Sequence, residues 1–436
     1  MYFTVEPSAL KSGELTVPGD KSISHRALML GAIARGQTRI RGFLNGEDCL
    51  ATLAALREMG VEIEELSATE LVVEGSDSGL QAPPRPLDMG NSGTAMRLFA
   101  GLLAGQPFSS ELVGDASLNQ RPMGRIIGPL TDMGACIDSS DGKPPLLIKG
   151  ARTLAGIAYR LPVASAQVKS AIMLAALQAE GESTIMEPAT TRDHTERMLQ
   201  SMGARLNIDG QRIVIAGKQS LEGADLEVPA DISSAAFIIL AALLATACEL
   251  VITNVGVNPT RTGAIDILRD MGANIEFRNA RMSGREPVAD IVVRSSVLSG
   301  VDAGPARVSL AIDEFPMLFV AAACARGKST FSGIGELRIK ESDRIAVMTE
   351  GLRQLGARVD ESDDGAVIHG TELSGGTVDS ECDHRVAMAF SIAGTVATGP
   401  VRVNHTDTVA TSFPGFVECL GSLGIKIDRH HEEPAP

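Results

Sequence analysis

The chain has 436 residues, 44% of them hydrophobic, so it is long enough for more than one domain and can bury large cores. Asp plus Glu is 54 and Lys plus Arg is 39, which gives a net charge of −15. This negative balance argues against a nucleic-acid or anionic-membrane surface, although local basic pockets are compatible with it.

The N-terminal end and the apolar runs predict neither secretion nor membrane insertion. The segment MYFTVEPSALKSGEL lacks the basic region and apolar stretch of a signal peptide, so we expect none. The longest apolar run, residues 232–248, is short for a membrane span and predicts a buried core helix. The seven histidines have no metal-ligand spacing, and we expect no metal and no organic cofactor.

One short phrase, Leu-x-x-Met/Leu-Gly followed by alternating apolar residues, recurs along the whole chain. Each copy ends a helical pattern, places glycine where a helix closes in the left-handed conformation, and continues as a strand. The six glycines are Gly60, Gly134, Gly203, Gly272, Gly356 and Gly424. Their separations of 74, 69, 69, 84 and 68 residues indicate six repeated units.

A second phrase, an Ala-rich helix that is apolar on every face, occurs between the first ones. A helix of this kind is buried on all sides. Each unit of about 70 residues therefore offers one buried helix, one more amphipathic helix and several strands. Six such units are too many for one core, so the simplest packing is two domains of three units each.

The segments before the six buried helices are polar and rich in Gly, Ser and Asp. They read GDKSISHR, GNSGTAMR, ASAQVKS, ADISSAA, IDEFP and DHRVAM. Asp231 and Ser233 are explained as ordinary N-caps. A cation at a helix N-terminus is repelled by the positive end of the helix dipole, so its presence there indicates an anion bound between the cation and the backbone amides. The cations at these starts are Lys21, Arg26, Arg97 and Arg385.

The first of these segments lacks the Walker A spacing G-x-x-x-x-G-K-[ST], so it does not predict a nucleotide loop. It predicts an anion site, with Lys21, Ser22 and Arg26 as donors. Other polar segments add Arg121, Arg125, Arg192, Lys340, Glu341 and Arg344. Lys340, Glu341 and Arg344 are explained either as a solvated helix start or as two cations and a carboxylate that face one cleft. Asp313 is explained either as a helix cap or as a catalytic base.

Seven motifs follow one another along essentially the whole chain: PGDKSISHR, GNSGTAMR, NQRPM, ASAQVKS, DEFPML, ELRIKESDR and DHRVAM. With them the sequence resembles the 5-enolpyruvylshikimate-3-phosphate synthases, the family targeted by the herbicide glyphosate. The resemblance implies an α/β protein with a two-domain inside-out, barrel-like fold, each domain built of three βαβαββ repeats and both closing on the substrates. It implies one domain at 21–229 and a second made of 1–20 plus 230–436.

The resemblance also implies the reaction. The enolpyruvyl group of phosphoenolpyruvate moves to the 5-hydroxyl of shikimate 3-phosphate, with release of phosphate, in the shikimate pathway of aromatic amino acid biosynthesis. The expected protein is a cytoplasmic monomer without cofactor, and it has no nucleic-acid or membrane partner.

Matching motif by motif, the resemblance implies a role for each site residue. The ligands of shikimate 3-phosphate are Ser22 and Arg26 on the carboxylate, Ser165, Ala166 and Arg192 on the phosphate, Gln167 against the ring, and Lys340 near the phosphate. The ligands of phosphoenolpyruvate are Lys21, Gly93, Arg121, Arg344 and Arg385. Asp313 is implied as the base near the 5-hydroxyl, and Glu341 with Lys21 as the proton carriers at C3.

Asp20, His25 and Thr411 depart from the commoner pattern and resemble the second class of the family. That class is often glyphosate-tolerant, yet Gly93 leaves the room that tolerant members commonly fill with Ala. Two alternatives stay open. The first is a UDP-N-acetylglucosamine enolpyruvyl transferase, which needs a reactive cysteine that the segment GDASLNQRPM lacks. The second is a non-catalytic anion-binding scaffold, which would gain nothing from the carboxylates Asp313 and Glu341.

Overall fold

Six buried helices form the centre of the computed structural model, which describes residues 1–75, 79–150 and 153–431. They are α1 (Lys21–Ala32), α3 (Gly93–Leu103), α5 (Ala166–Ala176), α7 (Ile232–Leu244), α10 (Phe315–Cys324) and α12 (His384–Gly394). Each begins directly after, or within, one of the polar segments that the sequence singled out. The apolar run at 232–248 forms a helix that is shorter than predicted and ends at Leu244, because Ala245 is extended.

A second set of helices alternates with the buried ones. It comprises α2 (Glu47–Glu58), α4 (Gly124–Asp132), α6 (His194–Ser201), α8 (Gly263–Asp270), α11 (Arg344–Gln354) and α13 (Phe416–Ser422), with one short extra turn, α9 (Val308–Ala311). The glycine that follows each of the six has a positive φ, from 80° at Gly60 to 102° at Gly134. The predicted left-handed helix ends are therefore confirmed, and a side chain there would be strained.

The strands form six sheets, three in each half of the chain. In the first half the orders are β14 (Leu221–Glu222), β3 (Ala34–Arg41), β5 (Glu70–Gly75), β4 (Glu62–Ser67), with β15 (Asp225–Glu227) also on β3; β6 (Leu87–Asp88), β7 (Ser110–Val113), β9 (Lys143–Lys149), β8 (Cys136–Ser140); and β10 (Ala158–Arg160), β11 (Glu182–Met186), β13 (Arg212–Ala216), β12 (Leu206–Asp209).

In the second half the orders are β2 (Gly13–Leu15), β16 (Glu249–Gly256), β18 (Glu286–Arg294), β17 (Asn274–Ser283); β19 (Asp302–Ala303), β20 (Lys328–Ser332), β22 (Gly365–His369), β21 (Arg358–Ser362); and β23 (Gly376–Asp379), β24 (Val401–Asn404), β1 (Tyr2–Glu6), β25 (Lys426–His430). Where β6, β10, β19 and β23 begin a repeat, the first strand pairs parallel with the second across a buried helix.

The N-terminal end of the chain joins the second half, whereas the last strands of the first half pair with its own first repeat. The N-terminal strand β1 pairs with β24 and β25, and β2 pairs with β16, so both complete sheets of the second half. Conversely, β14 and β15 follow the third repeat and pair with β3 of the first. Two compact units result. The C-terminal unit contains 1–18, 229–281 and the chain from 287 onward, and the N-terminal unit contains 19–228 and 282–286.

Each unit has its own hydrophobic core, built around its three buried helices. In the N-terminal unit, α3 and α5 approach so closely that a Cβ on Gly101 would lie 2.1 Å from the carbonyl oxygen of Ala171. Only glycine allows this approach, which brings the starts of the two helices together. In the part of the chain that the structure describes, no helix is both long and apolar enough to cross a membrane.

Candidate active site

The three buried helices of the N-terminal unit begin with capped first turns. The side-chain oxygens of the caps Asp20, Ser92 and Ser165 accept hydrogen bonds from backbone amides three residues further on, at 2.8, 3.1 and 3.3 Å. Lys21, Gly93 and Ala166 are the first residues of α1, α3 and α5. The predicted anion ligands of this unit therefore include the first residue of each of its buried helices, where the helix dipole favours negative charge.

Arg26 is buried and is oriented by neutral oxygens. Its Nε donates to Thr195 Oγ1 at 2.6 Å, and its Nη2 donates to Ser170 Oγ at 2.7 Å. Its Nη1 donates to the backbone carbonyl of Ser22 at 2.8 Å. These contacts join α1 to α5 and α6 and fix the direction of the guanidinium group.

Two guanidinium groups lie over the start of α3. Gly93 has no side chain, and a Cβ there would lie 2.8 Å from Nη1 of Arg97 and 3.1 Å from Nη1 of Arg121. Arg121 donates to Oδ1 of Asn91 at 2.6 Å, and Arg97 donates to Oε1 of Gln167 at 2.8 Å. The start of α3 thus combines a helix N-terminus, two cations and an oriented amide from α5.

The start of α1 is tied to α2 and α3. Lys21 forms an ion pair with Asp48, which is buried in the first turn of α2. His25 is fully buried, with Nδ1 2.7 Å from Thr52 Oγ1 and Nε2 3.5 Å from Ser92 Oγ. Burial, and then the charge of Lys21, lowers the pKa of His25 well below its usual value. A neutral imidazole therefore bridges these helices.

The C-terminal unit holds its main cation among carboxylates. Arg344 is 1% exposed; its Nε donates to Asp383 Oδ2 at 2.7 Å, and its Nη2 donates to Glu341 Oε2 at 2.7 Å. Oδ1 of Asp313 lies 3.6 Å from its Nη1. Burial opposes the charge, but the surrounding carboxylates, Asp383 foremost, outweigh it, and the pKa of Arg344 is raised.

A second arginine lies on the other side of Asp313. Nη1 of Arg385 donates to the Asp313 carbonyl at 3.1 Å, and its Nη2 is 3.9 Å from Asp313 Oδ2. Oε1 of the buried Glu314 is 3.8 Å from Nη1 and also accepts a hydrogen bond from Ser233 Oγ. Asp313 is therefore flanked by Arg344 and Arg385. The side-chain cap interpretation of Asp313 is wrong, since Glu314 is the residue that precedes α10.

Three other predicted positions are placed by loops. Arg192 is half-buried in the irregular segment between β11 and α6. Lys340 is half-buried between a short 3₁₀ turn, Gly335–Ile339, and α11. Thr411 is buried at the end of another such turn, and its hydroxyl donates to the Thr408 carbonyl at 2.7 Å. Thr411 accordingly supplies a satisfied hydroxyl where the commoner pattern has a cation.

The structure brings together two groups of predicted residues, one in each unit. The N-terminal unit contains Lys21, Ser22, Arg26, Gly93, Arg121, Ser165, Ala166, Gln167 and Arg192, and the C-terminal unit contains Asp313, Lys340, Glu341, Arg344 and Arg385. Sequence reasoning missed the carboxylates that hold the cations, Asp48, Glu314 and Asp383. Asp383 carried a usable signal, because an Asp before an apolar helix predicts an N-cap.

The chain is similar to one family throughout its length. The family described as EPSP synthase (3-phosphoshikimate 1-carboxyvinyltransferase) matches residues 5–420. Proteins named 3-phosphoshikimate 1-carboxyvinyltransferase from Alkalilimnicola ehrlichii and Acidithiobacillus ferrooxidans are 54% and 55% identical, covering 99% and 98% of this chain and 98% of each relative. A solved structure of EPSP synthase from Acinetobacter baumannii has a TM-score of 0.87 at 49% identity, covering 98% of this chain and 100% of that one.

Proposed function

We propose roles for the residues of both units from the premise that this chain belongs to the EPSP synthase family. Its fold is the two-domain inside-out α/β fold of that family. It is an enolpyruvyl transferase of the shikimate pathway, which moves the enolpyruvyl group of phosphoenolpyruvate to the 5-hydroxyl of shikimate 3-phosphate and releases phosphate. The assignments that follow rest on the geometry of each unit taken by itself.

Shikimate 3-phosphate is bound through its two anionic groups. Arg26 and Ser22 take the carboxylate, and the hydrogen bonds of Arg26 to Thr195 and Ser170 support this because they hold its guanidinium group in one orientation. Ser165, the Ala166 amide and Arg192 take the phosphate at the start of α5. Gln167 lies against the ring, with its amide held by Arg97 and Thr94. Lys340 adds a further cation for the phosphate.

Phosphoenolpyruvate is bound by Lys21, Gly93, Arg121, Arg344 and Arg385. Arg344 and Arg385 take its carboxylate. Nη1 of Arg344 supports this role, because it is buried and makes no hydrogen bond within the described residues. An unsatisfied buried donor is costly, and a carboxylate oxygen of the substrate would satisfy it. Gly93 leaves the space beside Arg121 free for the substrate.

Asp313 and Glu341 carry the protons, with Lys21. Asp313 accepts the 5-hydroxyl proton as that oxygen bonds to C2, while C3 takes a proton from the Lys21 ammonium. The C2–O bond to phosphate then breaks as C3 returns a proton to Glu341. The ion pair of Glu341 with Arg344 at 2.7 Å favours the carboxylate form that accepts a proton. The proposal rests on one observation: the half-buried carboxylates of Asp313 and Glu341 both lie beside the buried Arg344.

The two compact units are proposed to be the functional domains, bounded after residues 20 and 229 as the sequence predicted. The pairing of β1 and β2 with strands of the C-terminal unit, and of β14 and β15 with β3 of the N-terminal unit, supports these boundaries to within two residues, apart from residues 282–286, which group with the N-terminal unit. The protein is proposed to be a cytoplasmic monomer, because each unit already has a complete core of its own.

Phosphate release tests the assignments. It should require both phosphoenolpyruvate and shikimate 3-phosphate, and Asp313→Asn should lower kcat by about 10²- to 10⁴-fold because the base is lost. Asp302→Asn is the matched control, since Asp302 is exposed on β19 and should keep full activity.

Each alternative makes a different prediction in the same assay. Release with UDP-N-acetylglucosamine in place of shikimate 3-phosphate would indicate the sister transferase. Binding of both anions without turnover would indicate the anion-binding scaffold. Near-normal turnover by Glu341→Gln would remove Glu341 from the proton pathway.

A further inference from the structure

A lysine is buried in α5, one residue before the serine that holds Arg26. Lys169 is 1% exposed, and its Nζ lies 3.0 Å from Glu187 Oε2 and 2.6 Å from Glu196 Oε1. Both carboxylates are also buried, at 3% and 2% exposure. None of the three belongs to the residues assigned to either substrate. Such a buried cluster needs an explanation outside the chemical steps.

Stability alone does not explain this cluster. Removing charges from water costs about as much as their attraction returns, so a buried ion pair is no more stable than well-packed apolar residues. Oε2 of Glu196 accepts no hydrogen bond from the described residues, and burial raises the pKa of this carboxyl against the opposing effect of Lys169. The cluster is therefore better explained by the geometry that it imposes.

The cluster holds both ends of the segment that carries Arg192. Glu187 follows directly after β11 and begins this segment, and Glu196 lies in the first turn of α6, where the segment ends. The other oxygen of Glu187 accepts a hydrogen bond from the hydroxyl of Thr191, which is itself buried and precedes Arg192. Lys169 thus connects α5 to both ends of this irregular segment.

A second link runs parallel to the first. Ser170, next to Lys169, has its Oγ 2.7 Å from Oγ1 of Thr195, next to Glu196. Both hydroxyls accept hydrogen bonds from Arg26. The contact between α5 and α6 therefore positions two arginines together: Arg26 through the hydroxyls and Arg192 through the ionic cluster.

We propose that Lys169 is a positioning residue that sets the place of Arg192 relative to Arg26. Shikimate 3-phosphate carries its carboxylate and its phosphate at a constant separation on a rigid ring, so recognition of both requires two cations at a matching distance. The inference rests on the proposed assignment of Arg192 to the 3-phosphate. It extends that assignment by naming Lys169 as the buried residue on which the specificity for a phosphorylated acceptor depends.

The test separates the two substrates. Lys169→Met should raise the KM and the Kd for shikimate 3-phosphate about 10- to 100-fold, because a shift of about 1 Å in a binding group costs up to 10²-fold. The KM for phosphoenolpyruvate should change less than about 3-fold. Leu174→Ala is the matched control, since Leu174 is buried on the same helix and its truncation destabilises the protein without touching the segment.

Thr191→Val is the milder variant, for use if Lys169→Met does not fold. It removes one hydrogen bond to Glu187, leaves the ionic cluster in place, and should raise the same KM about 3- to 10-fold. A general loss of stability would not give this selectivity between the two substrates.

A double-mutant cycle with Arg192→Met decides the mechanism. If Lys169 acts through Arg192, adding Lys169→Met or Thr191→Val to Arg192→Met should raise the KM for shikimate 3-phosphate less than about 2-fold further. Full additivity, or an equal rise for phosphoenolpyruvate, would overturn the inference. If Arg192→Met leaves the KM for shikimate 3-phosphate unchanged, the ligand assignment itself fails, which is a separate result.

Discussion

The two units repeat one backbone design, but the arginines at their helix starts have different hydrogen-bond partners. In the N-terminal unit, Arg26 donates hydrogen bonds to the hydroxyls of Thr195 and Ser170, and Arg121 donates to the amide oxygen of Asn91, while Lys21 pairs with Asp48. In the C-terminal unit, Arg344 is held by Asp383 and Glu341. Cations oriented by neutral groups keep their attraction for a substrate anion, whereas cations among carboxylates also hold the fold and keep a base close to the reaction.

The difference shows that the backbone of a helix start does not by itself determine the chemistry at that position. Each helix start carries a partial positive charge, and at the caps Asp20 and Asp383 a side-chain oxygen accepts a hydrogen bond from one backbone amide of the first turn. The side chains that other repeats bring to this point decide whether it binds an anion or moves a proton. Removing comparable cations from the two units should therefore have different consequences.

The largest expected effect is on the stability of the C-terminal unit. Arg344→Met leaves Asp383 and Glu341 without their buried counter-charge, and should lower the free energy of unfolding by about 3 to 5 kcal/mol. Urea unfolding measures this. In the exposed pair of Arg358 with Asp360, the matched change Arg358→Met should cost at most about 1 kcal/mol. Equal losses in both variants would show that the carboxylates do not depend on Arg344.

Arg121→Met should affect substrate binding more than stability, whereas Arg344→Met should mainly affect stability. Loss of charge-assisted hydrogen bonds worth about 1.5 to 3 kcal/mol should raise the KM for phosphoenolpyruvate about 10- to 150-fold. The free energy of unfolding should fall by only about 1 kcal/mol, because the hydrogen bond of Arg121 to Asn91 is made to a neutral amide. A stability loss as large as that of Arg344→Met would erase the distinction between the units.

A smaller effect is expected at the start of α3. The Cβ of Gly93→Ala meets the ends of two flexible side chains, Arg97 and Arg121, which must move by a few tenths of an ångström. Displacement of the Arg121 guanidinium misplaces a proposed ligand of phosphoenolpyruvate, so the KM for phosphoenolpyruvate should rise by up to about 10-fold. Gly128→Ala in α4 is the control, because its Cβ meets no atom within 4 Å and should stabilise the helix slightly.

The smallest effect concerns pH and the buried His25. Its lowered pKa means that the unfolded chain binds a proton which the folded protein excludes. This contribution to stability is complete above pH of about 6.5 and is lost as the pH falls toward the folded pKa, by at most about 1.4 kcal/mol per pH unit. His25→Asn should flatten that slope in urea unfolding, and an unchanged slope would show that the buried imidazole does not carry this pH dependence.

Sequence periodicity was sufficient to predict the six repeats, because the residues that begin and end each helix act on their neighbours in the chain. A glycine such as Gly60 or Gly424 ends a helix through its own φ, and a cap such as Asp231 bonds to an amide two residues away. The motifs also indicated which residues carry substrate chemistry. These inferences required neither the order of the sheets nor the contacts between repeats.

The partners of those residues depended on tertiary structure. Arg26 meets Thr195 across 169 residues, and Ser233 meets Glu314 across 81. In sequence Lys169 is one cation in an apolar helix, and only tertiary packing brings it to Glu187, which follows β11, and to Glu196 in α6. Local patterns determined the elements and the kinds of chemistry, because they depend on neighbours in the chain. The charge balance of each site was decided by packing, because it brings together partners that are distant in the chain, such as Arg344 and Asp383.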